Sequence, residues 1–370
     1  MAAASTERSL PLTLLLLCGL FFASSWATSS AAGDCHDQLM MLDRFHMWMA
    51  RHGRSYPIAA ERMRRFAVYQ KNVEYIEATN RDGRLGYELG ENEFTDLTAE
   101  EFAARYTEAA GPTDGDHVVE DNAMVITTRA GDVHEGRDRI AANAVHGSTV
   151  ADAVPSSVDW RTKGVVTPTK NQMGCGGAGW AFAAVATVES IWSIKEGTTF
   201  TLSEQEILDC VPRSRGCEGG DLADAFEWIS HGAIANESTY PYHGAKSDHC
   251  DYERADNPVA VFPRHDEAAL AARVAGQPVA VAIDARGDNM QHYKSGVYTG
   301  PCGYTRANHN VALVGYGETQ DGVKYWIAKN SWGQTWGRQG FLPHAKGRRL
   351  RPWAVRRRHE TPISLRVKSS

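Results

Sequence analysis

The chain has 370 residues, enough for one or two domains with a sizeable hydrophobic core. Its apolar content of 42% and its ten Trp exclude an intrinsically disordered protein. The formal net charge of −6 is unevenly distributed, because residues 342–370 contain nine Lys or Arg and one Glu. This basic segment is either an interaction arm or a solvated tail.

Residues 1–32 predict a secretory signal peptide. Arg8 precedes an apolar run at residues 10–23, and small residues follow at 27–32. The run is shorter than the about 20 residues that cross a bilayer, and no other stretch is long and apolar enough. We therefore expect a chain that enters the secretory pathway, where disulfides form, and that has no membrane span.

Residues 34–105 predict a mainly helical segment. Six of its residues are spaced by four, four, three, four and four positions, which places them on one face of a single helix: Glu61, Arg65, Tyr69, Asn72, Ile76 and Asn80. Pro57 and Gly83 mark the limits of this helix. The segment Gly90-Glu91-Asn92-Glu93-Phe94-Thr95-Asp96 follows, and then a short helix in which Thr98 and Glu101 have capping-box spacing. The alternative is an ordinary surface helix.

Residues 106–153 lose this periodicity and predict an exposed linker. From residue 107 to 153 there are nine acidic and three basic residues. Exposed linkers are where processing cuts fall, so we expect a cut shortly before residue 154.

Residues 154–341 predict a second domain. The apolar run at 180–194 predicts a buried central helix that ends at Gly197. Ser203 predicts the cap of another helix, and a third is expected at 222–230. Short apolar runs at 278–283, 296–298, 311–317 and 324–329 predict strands. Helices followed by strands indicate an α+β fold with a helical lobe, an antiparallel sheet lobe and a cleft between them.

The second domain also contains the pattern of a nucleophilic active site. Gln172 stands three residues before Cys175, ahead of the central helix, and His309 enters an apolar strand. Asn330 begins the segment Asn330-Ser331-Trp332-Gly333. With the helical segment before residue 105, these motifs resemble the papain-like cysteine proteases and their inhibitory prosegment. Such an enzyme needs a thiolate, an imidazole, a group that orients the imidazole, and donors for the oxyanion.

The resemblance implies roles for individual residues. Gln172 would donate to the oxyanion, His309 would be the catalytic imidazole, Asn330 would orient it, and Trp332 would shield that pair from water. Gly219 and Gly220 would bind the substrate backbone, although a simple turn is the alternative.

The same resemblance implies an inhibitory role for the helical segment. The six residues of the long helix and Gly90, Asn92, Phe94 and Asp96 match the prosegment pattern, with Tyr69 where Phe is usual. The prosegment would form a helical lid whose following strand runs backwards through the cleft.

The nucleophile of the family is missing. The family has a Cys directly before the Trp, where this chain has Gly179, and counting from Cys175 gives Ala178 instead. Cys175 resembles the structural Cys that pairs with Cys217, and Cys210 would pair with Cys250. We therefore expect a homologue that folds like the family but is impaired or inactive, with a vacuole, a lysosome or the extracellular space as its destination. The alternatives are an active endopeptidase that recruits Cys175 and an inhibitor that acts through its prosegment.

The end of the chain departs from the family. No Cys follows Cys302, so we expect a free thiol there and no assigned partner for Cys35. Residues 342–370 predict an atypical basic tail and the loss of a strand from the sheet lobe. Asn236-Glu237-Ser238 is a possible glycosylation site. We expect a monomer that binds peptides, protein substrates or sibling proteases, holds its own prosegment in the cleft, and uses no metal, cofactor, nucleic acid or membrane.

Overall fold

The computed structural model describes residues 28–108, 124–127, 154–232, 234–250, 260–263, 267–300 and 307–347. Residues 1–27 of the expected signal peptide, most of the expected linker, Cys302 and the tail after residue 347 lie outside this part, as does the side chain of Cys35. The chain divides into two compact units between Glu74 and Tyr75.

The helices and strands agree with an α+β fold. The helices are α1 Thr28–Arg51, α2 Ala59–Asp82, α3 Ala99–Tyr106, α4 Gly179–Glu196, α5 Glu204–Cys210, α6 Leu222–His231, α7 Glu267–Gly276 and α8 Asp288–Gln291. The strands are β1 Tyr87–Leu89, β2 Met124–Thr127, β3 Val158–Asp159, β4 Ala260–Pro263, β5 Val279–Ile283, β6 Tyr293–Gly296, β7 His309–Glu318, β8 Lys324–Lys329 and β9 Phe341–Ala345. Among the described residues, none of these helices is both long and apolar enough to cross a bilayer.

The first unit contains α1 and the start of α2, joined by an aromatic core. The Phe45 ring lies 5.1 Å from that of Tyr69 and 5.8 Å from that of Trp48, measured between centroids. All three side chains are buried. On the same helix as Tyr69, the Arg65 guanidinium donates to the Glu61 carboxylate at 2.8 Å. The six predicted residues on α2 therefore comprise two buried apolar side chains, Tyr69 and Ile76, and four polar side chains.

The prosegment part of the second unit is fixed by hydrogen bonds to backbone atoms. The Asn80 side chain donates to the Leu89 carbonyl and accepts from the Leu89 N–H, both at 2.9 Å. Strand β1 pairs antiparallel with β6. Thr98 and Glu101 form the predicted capping box at the start of α3. The first and last of these contacts are internal to the prosegment, whereas the pairing of β1 with β6 joins it to the second domain.

The segment between β1 and α3 contacts the loop that carries α8. The Gly90 N–H donates to the His292 carbonyl at 2.8 Å, and Asn92 Nδ2 donates to the Gln291 carbonyl at 2.7 Å. Phe94 is fully buried and Asp96 nearly so. A Cβ on Gly90 would lie 2.7 Å from Lys294 Cδ, so glycine permits this close approach.

The helical lobe is built around α4. Its residues are buried on nearly all sides, as a helix without a polar face requires. Gly197 follows α4 in the left-handed region at φ 70°, which glycine adopts without strain. The Ser203 hydroxyl accepts from the Glu206 N–H at 3.0 Å and caps α5. The prediction for all three helices of this lobe is confirmed.

The sheet lobe is centred on β7. The strand order is β3-β7-β8-β9, and β5 also pairs with β7. His309 at the start of β7 lies opposite Ile283 of β5. Ala312 of β7 lies opposite Lys329 of β8, so Asn330, the next residue, is placed near His309. The antiparallel register therefore brings together two residues that are far apart in the sequence.

The expected loss of a strand is wrong. Residues 341–345 form β9, which pairs with β8 from Tyr325↔Ala345 to Lys329↔Phe341. Pro343 lacks an N–H, but its carbonyl accepts from the Tyr298 N–H at 2.7 Å. Leu342, His344 and Ala345 are buried, so backbone pairing and burial maintain the strand despite its unusual sequence.

The strand expected at residues 296–298 is displaced. β6 ends at Gly296, and Tyr298 instead forms an isolated parallel bridge with His344. Gly296 has a φ of 88°, and a Cβ there would lie 2.5 Å from the Gly86 carbonyl. The strand therefore ends where a glycine lets the chain turn beside β1.

Candidate active site

The site begins in the turn before α4. Residues 176–178 form a short 3-10 turn, and α4 begins at Gly179. A Cβ on Gly177 would lie 2.5 Å from the Gly219 nitrogen, so the two glycine segments are in direct contact. The turn absorbs the one additional residue between Cys175 and Trp180.

Gln172 is fully buried beside this turn. Its Nε2 donates to the Gly176 carbonyl at 2.6 Å, and its Oε1 accepts from the Ser331 hydroxyl at 2.7 Å. The Gln172 N–H also donates to the Ser331 carbonyl at 2.8 Å. The side chain is thus held between the start of α4 and the segment that follows β8, where an oxyanion donor is needed.

His309 and Asn330 form a buried pair. His309 Nε2 and Asn330 Oδ1 are 2.7 Å apart, so Nε2 carries the proton and Oδ1 accepts it. The Trp332 ring is stacked on the imidazole, with the centroids 4.8 Å apart. Burial lowers the pKa of His309 to about 4, partly offset by the hydrogen bond that Nε2 donates to Asn330. The imidazole is therefore neutral near pH 7.

The second nitrogen of His309 is directed toward Gly179. Within the described part of the chain, Nδ1 is buried and has no hydrogen-bond partner. A Cβ built on Gly179 would lie 2.6 Å from Nδ1 and 2.7 Å from Cε1. Of the two positions that sequence counting left open, residue 179 is the one that faces the imidazole.

Cys175 is bonded to another sulfur. It forms a disulfide with Cys217, and Cys210 forms one with Cys250, as the resemblance implied. Cys175 is also buried. A disulfide sulfur is not a thiolate, so this arrangement does not support the alternative in which Cys175 is recruited as nucleophile.

Gly219 and Gly220 have different surroundings. A Cβ on Gly219 would lie 3.5 Å from Glu108 Cγ, so Gly219 lines the groove occupied by the prosegment. A Cβ on Gly220 would lie 2.3 Å from the Trp180 ring, so Gly220 packs against α4. Both glycines permit close approach, but only Gly219 adjoins the occupied groove.

The prosegment crosses the site immediately after α3. The Tyr106 carbonyl accepts from Gln172 Nε2 at 3.3 Å and from Trp332 Nε1 at 3.1 Å. The Glu108 N–H donates to the Asn308 carbonyl at 2.7 Å. Residues 106–108 are therefore not part of an exposed linker, because their main chain satisfies donors and acceptors of the cleft.

Two residues of the site were missed by the sequence analysis. Asn310 Nδ2 donates to Glu108 Oε1 at 2.6 Å. In the sequence, Glu108 is one of the acidic residues of the expected linker, and Asn310 has no assigned role. No local pattern marks this pair, since it joins two segments that are 202 positions apart.

A buried charge cluster lies behind the site. Lys170 Nζ is 2.7 Å from Glu204 Oε2 and 3.2 Å from Glu189 Oε1, and Lys329 Nζ is 3.9 Å from Glu189 Oε2. Burial raises the pKa of Glu204 and lowers that of Lys329. The cluster connects the start of the second domain, α4, α5 and the end of β8. Its member Lys329 directly precedes Asn330, so the cluster anchors the backbone next to Asn330.

Asn236, the possible glycosylation site, is exposed. Its carbonyl accepts from the Thr239 and Tyr240 N–H groups in a turn. Among the described residues, no group of three or more His, Cys, Asp or Glu could hold a metal ion.

Comparison with known families gives two matches. Residues 154–356 match the papain family cysteine protease model, and residues 45–102 match the cathepsin propeptide inhibitor domain. The chain belongs to the papain family of cysteine proteases and carries that family's propeptide domain.

Individual relatives agree. The chain is 39% identical to fruit bromelain of Ananas comosus over 334 residues, covering 89% of this chain and 87% of the relative. It is 42% identical to the senescence-specific cysteine protease SAG39 of Oryza sativa subsp. indica, covering 84% and 86%. The solved recombinant stem bromelain precursor, at 39% identity and a TM-score of 0.66, covers 83% of this chain, and 93% of the precursor is matched. The proform of the ragweed pollen allergen Amb a 11 gives a TM-score of 0.68 at 34% identity, covering 85% and 92%.

Proposed function

We propose that the protein is a papain-family homologue that keeps the peptide cleft but has lost covalent catalysis. The observation that carries this proposal is the position of Gly179. A Cβ built there would lie 2.6 Å from His309 Nδ1, but glycine has no side-chain atom that could attack a carbonyl. The partners Gln172, His309 and Asn330 remain assembled around it. In a serine protease, removal of the nucleophile lowers turnover by about 10⁶-fold, so we expect no measurable acyl-enzyme chemistry.

We further propose that the chain is made as a secreted precursor. Its parts would be a signal peptide at 1–32, a prosegment from residue 34 through residue 108, a linker with the processing site between residues 108 and 154, the peptidase-like domain from residue 154 through β9, and a basic tail after β9. The two disulfides support an oxidising compartment such as the extracellular space, a vacuole or a lysosome. Asn236 would be glycosylated there.

The test uses the wild type and three variants. We assay hydrolysis of a fluorogenic dipeptidyl substrate and labelling of the active-site segment by an epoxide directed at papain-like sites, before and after limited proteolysis of the linker. The labelled residue is mapped, because Cys302 is expected to be a free thiol. The wild type should show neither. Deletion of Ala178 combined with Gly179→Cys should gain epoxide labelling and turnover, because it restores both the sulfur and the family spacing.

Two controls separate the sulfur from the space it fills. Gly179→Ala adds the Cβ without the sulfur and should stay inactive. Gly179→Cys alone should react poorly, because its Cβ is too close to the imidazole unless His309 moves. Hydrolysis by the wild type at rates usual for the family, abolished by alkylation, would show that the endopeptidase alternative is correct.

A second candidate function is inhibition of related proteases. It is favoured by the match of residues 45–102 to a propeptide inhibitor domain and by the contacts of residues 106–108 across the site. Addition of the full chain to an active papain-family protease should slow it at micromolar concentration. An unchanged rate at that concentration would count against inhibition without affecting the proposal of lost catalysis.

A further inference from the structure

A buried hydrogen bond joins the Glu108 side chain of the prosegment to Asn310 of the cleft. Asn310 follows His309 in β7 and is 2% exposed. Its Nδ2 donates to Glu108 Oε1 at 2.6 Å. Its Oδ1 is buried and has no hydrogen-bond partner among the residues that the structure describes. The Asn310 carboxamide therefore presents one occupied donor and one acceptor that lacks a donor.

The backbone of Glu108 is held in the way a bound peptide would be held. Its N–H donates to the Asn308 carbonyl at 2.7 Å, and its Cγ lies 3.5 Å from the Cβ position of Gly219. We call the surroundings of the Glu108 side chain the Asn310 subsite, formed by Asn308, Asn310 and Gly219, with Arg215 and Asp221 as nearby charged groups. A peptide that replaced the prosegment along this path would place one side chain in this subsite.

The electrostatics of the subsite favour a neutral side chain. Desolvation raises the pKa of Glu108 to about 8, the Asn310 hydrogen bond and Arg215 oppose the shift, and Asp221 adds to it. The adjacent His309 is neutral near pH 7, because burial lowers its pKa to about 4. Glu108 is therefore protonated near neutral pH and has an O–H that can be donated. A Gln side chain offers the same combination of one acceptor and one donor at every pH.

We propose that the Asn310 subsite selects peptides that present Gln, or Glu in its protonated form. This inference rests on the proposed function, in which the cleft binds peptides without cleaving them. Leu would leave both polar groups of Asn310 unpaired in a buried site, which weakens binding by about tenfold to a hundredfold. Lys has no acceptor for Asn310 Nδ2.

The full-length chain provides the first test, because residue 108 is a tethered ligand. We compare the wild type with Glu108→Gln and the similarly sized Glu108→Leu, and measure hydrogen exchange of the residue 108 amide from pH 6 to 9. Exchange is expressed as a protection factor, which removes the intrinsic effect of pH. At pH 6.5 the Gln variant should be at least as protected as the wild type, because only the Glu side chain must take up a proton when it docks, whereas the Leu variant should be about tenfold or more below Gln.

The pH dependence separates the acid from the amide. Because an undocked Glu has a pKa of about 4.3 and docked Glu108 one of about 8, wild-type protection should fall as the pH rises toward 8 and level off above it. The Gln variant, which does not titrate, should keep its protection to pH 9. Equal protection for Leu and Gln, or a wild type without pH dependence, overturns the inference.

Replacing both Glu108 and Asn310 distinguishes the loss of their hydrogen bond from general unfolding of a variant. Asn310→Leu should lower protection in the wild-type background. Asn310→Leu combined with Glu108→Leu should recover it and make it independent of pH, because two apolar side chains then face each other. Failure of the double variant to exceed both single variants would contradict a direct pairing of residues 108 and 310.

Free peptides then test the ligand class. The full chain carrying Glu108→Lys frees the subsite, and three labelled peptides that differ only by Gln, Glu or Leu at one position are measured by fluorescence anisotropy. The Gln peptide should bind at least tenfold more tightly than the Leu peptide, and the Glu peptide should approach Gln only near pH 5 or below, where the free Glu side chain also begins to be protonated. Equal binding by all three overturns the inference and leaves the proposed function intact. Turnover of the Gln peptide would support the selectivity but refute the loss of catalysis, and absence of any binding refutes both.

Discussion

His292 is a buried histidine whose protonation should control acid stability. It is fully buried, and in the described part of the chain neither ring nitrogen has a hydrogen-bond partner. Burial lowers its pKa to about 3, from an ordinary value of 6.5. Between pH 6.5 and 3, His292 is therefore protonated in the unfolded chain and neutral in the folded chain. The resulting stability is fully present above pH 6.5 and declines as the pH falls toward 3.

The magnitude follows from the two pKa values. At pH 5 the unfolded state is favoured by about 2 kcal/mol relative to pH 7.5, and the slope between pH 6 and 3 is about 1.4 kcal/mol per unit. His292→Phe keeps an aromatic ring but removes the titration. The variant should lose about 2 kcal/mol less than the wild type between pH 7.5 and 5. It should also gain stability at pH 7.5, because an unpaired buried N–H costs about 1–3 kcal/mol.

The assay is urea unfolding followed by tryptophan fluorescence at pH 7.5, 6 and 5. His249→Phe is the matched control, since His249 is exposed and its removal should leave the wild-type pH profile unchanged. The acid sensitivity that persists in His292→Phe should come mainly from His309, whose pKa is also lowered by burial. If His292→Phe follows the wild type at every pH, burial of a neutral His292 does not contribute to acid stability and the reasoning is refuted.

Two further predictions concern charge and prosegment docking. Lys170→Met should cost about 3–5 kcal/mol in urea unfolding, because it leaves Glu204 buried without its close cation, and adding Glu204→Gln should recover much of this loss. A double variant no more stable than Lys170→Met would contradict the pairing. Asn80→Ala removes two hydrogen bonds to the backbone of β1, so exchange protection of residues 87–89 should fall by about tenfold or more while that of α4 is unchanged. Unchanged protection at β1 would show that β6 alone fixes this strand.

The sequence predicts those elements in which local pattern and tertiary environment agree. The central helix is apolar on all faces, ends at a glycine and is buried, so α4 and Gly197 follow from residues alone. The capping box before α3 is similarly local. By contrast, β9 contains a proline and precedes a basic segment, and its strand structure depends on pairing with β8. Such a strand is stabilised by a partner that local sequence does not show.

Some features of the site are likewise predicted from the sequence, whereas others depend on the tertiary structure. The motifs around Gln172, His309 and Asn330 are each recognisable, and their assembly follows from the resemblance. The position of the missing nucleophile was left open between Ala178 and Gly179, because the extra residue could be absorbed on either side. The 3-10 turn at 176–178 resolves this, since it leaves residue 179 facing the imidazole. Contacts such as Glu108 with Asn310 join distant segments and have no local signature.

The hydrogen bonds that hold the prosegment in this cleft do not involve the position of the nucleophile. The contacts described for the prosegment across the site are made by Gln172, Trp332, Asn308 and Asn310 through hydrogen bonds to main-chain and carboxyl atoms. None of these hydrogen bonds uses an atom of residue 179. Under the proposal of lost catalysis, glycine at residue 179 supplies no attacking atom, while the hydrogen bonds to the prosegment are made by other residues. A cleft that retains such donors and acceptors can keep its peptide selectivity after catalysis is lost, which is why the side chain at residue 108 is the informative position to vary.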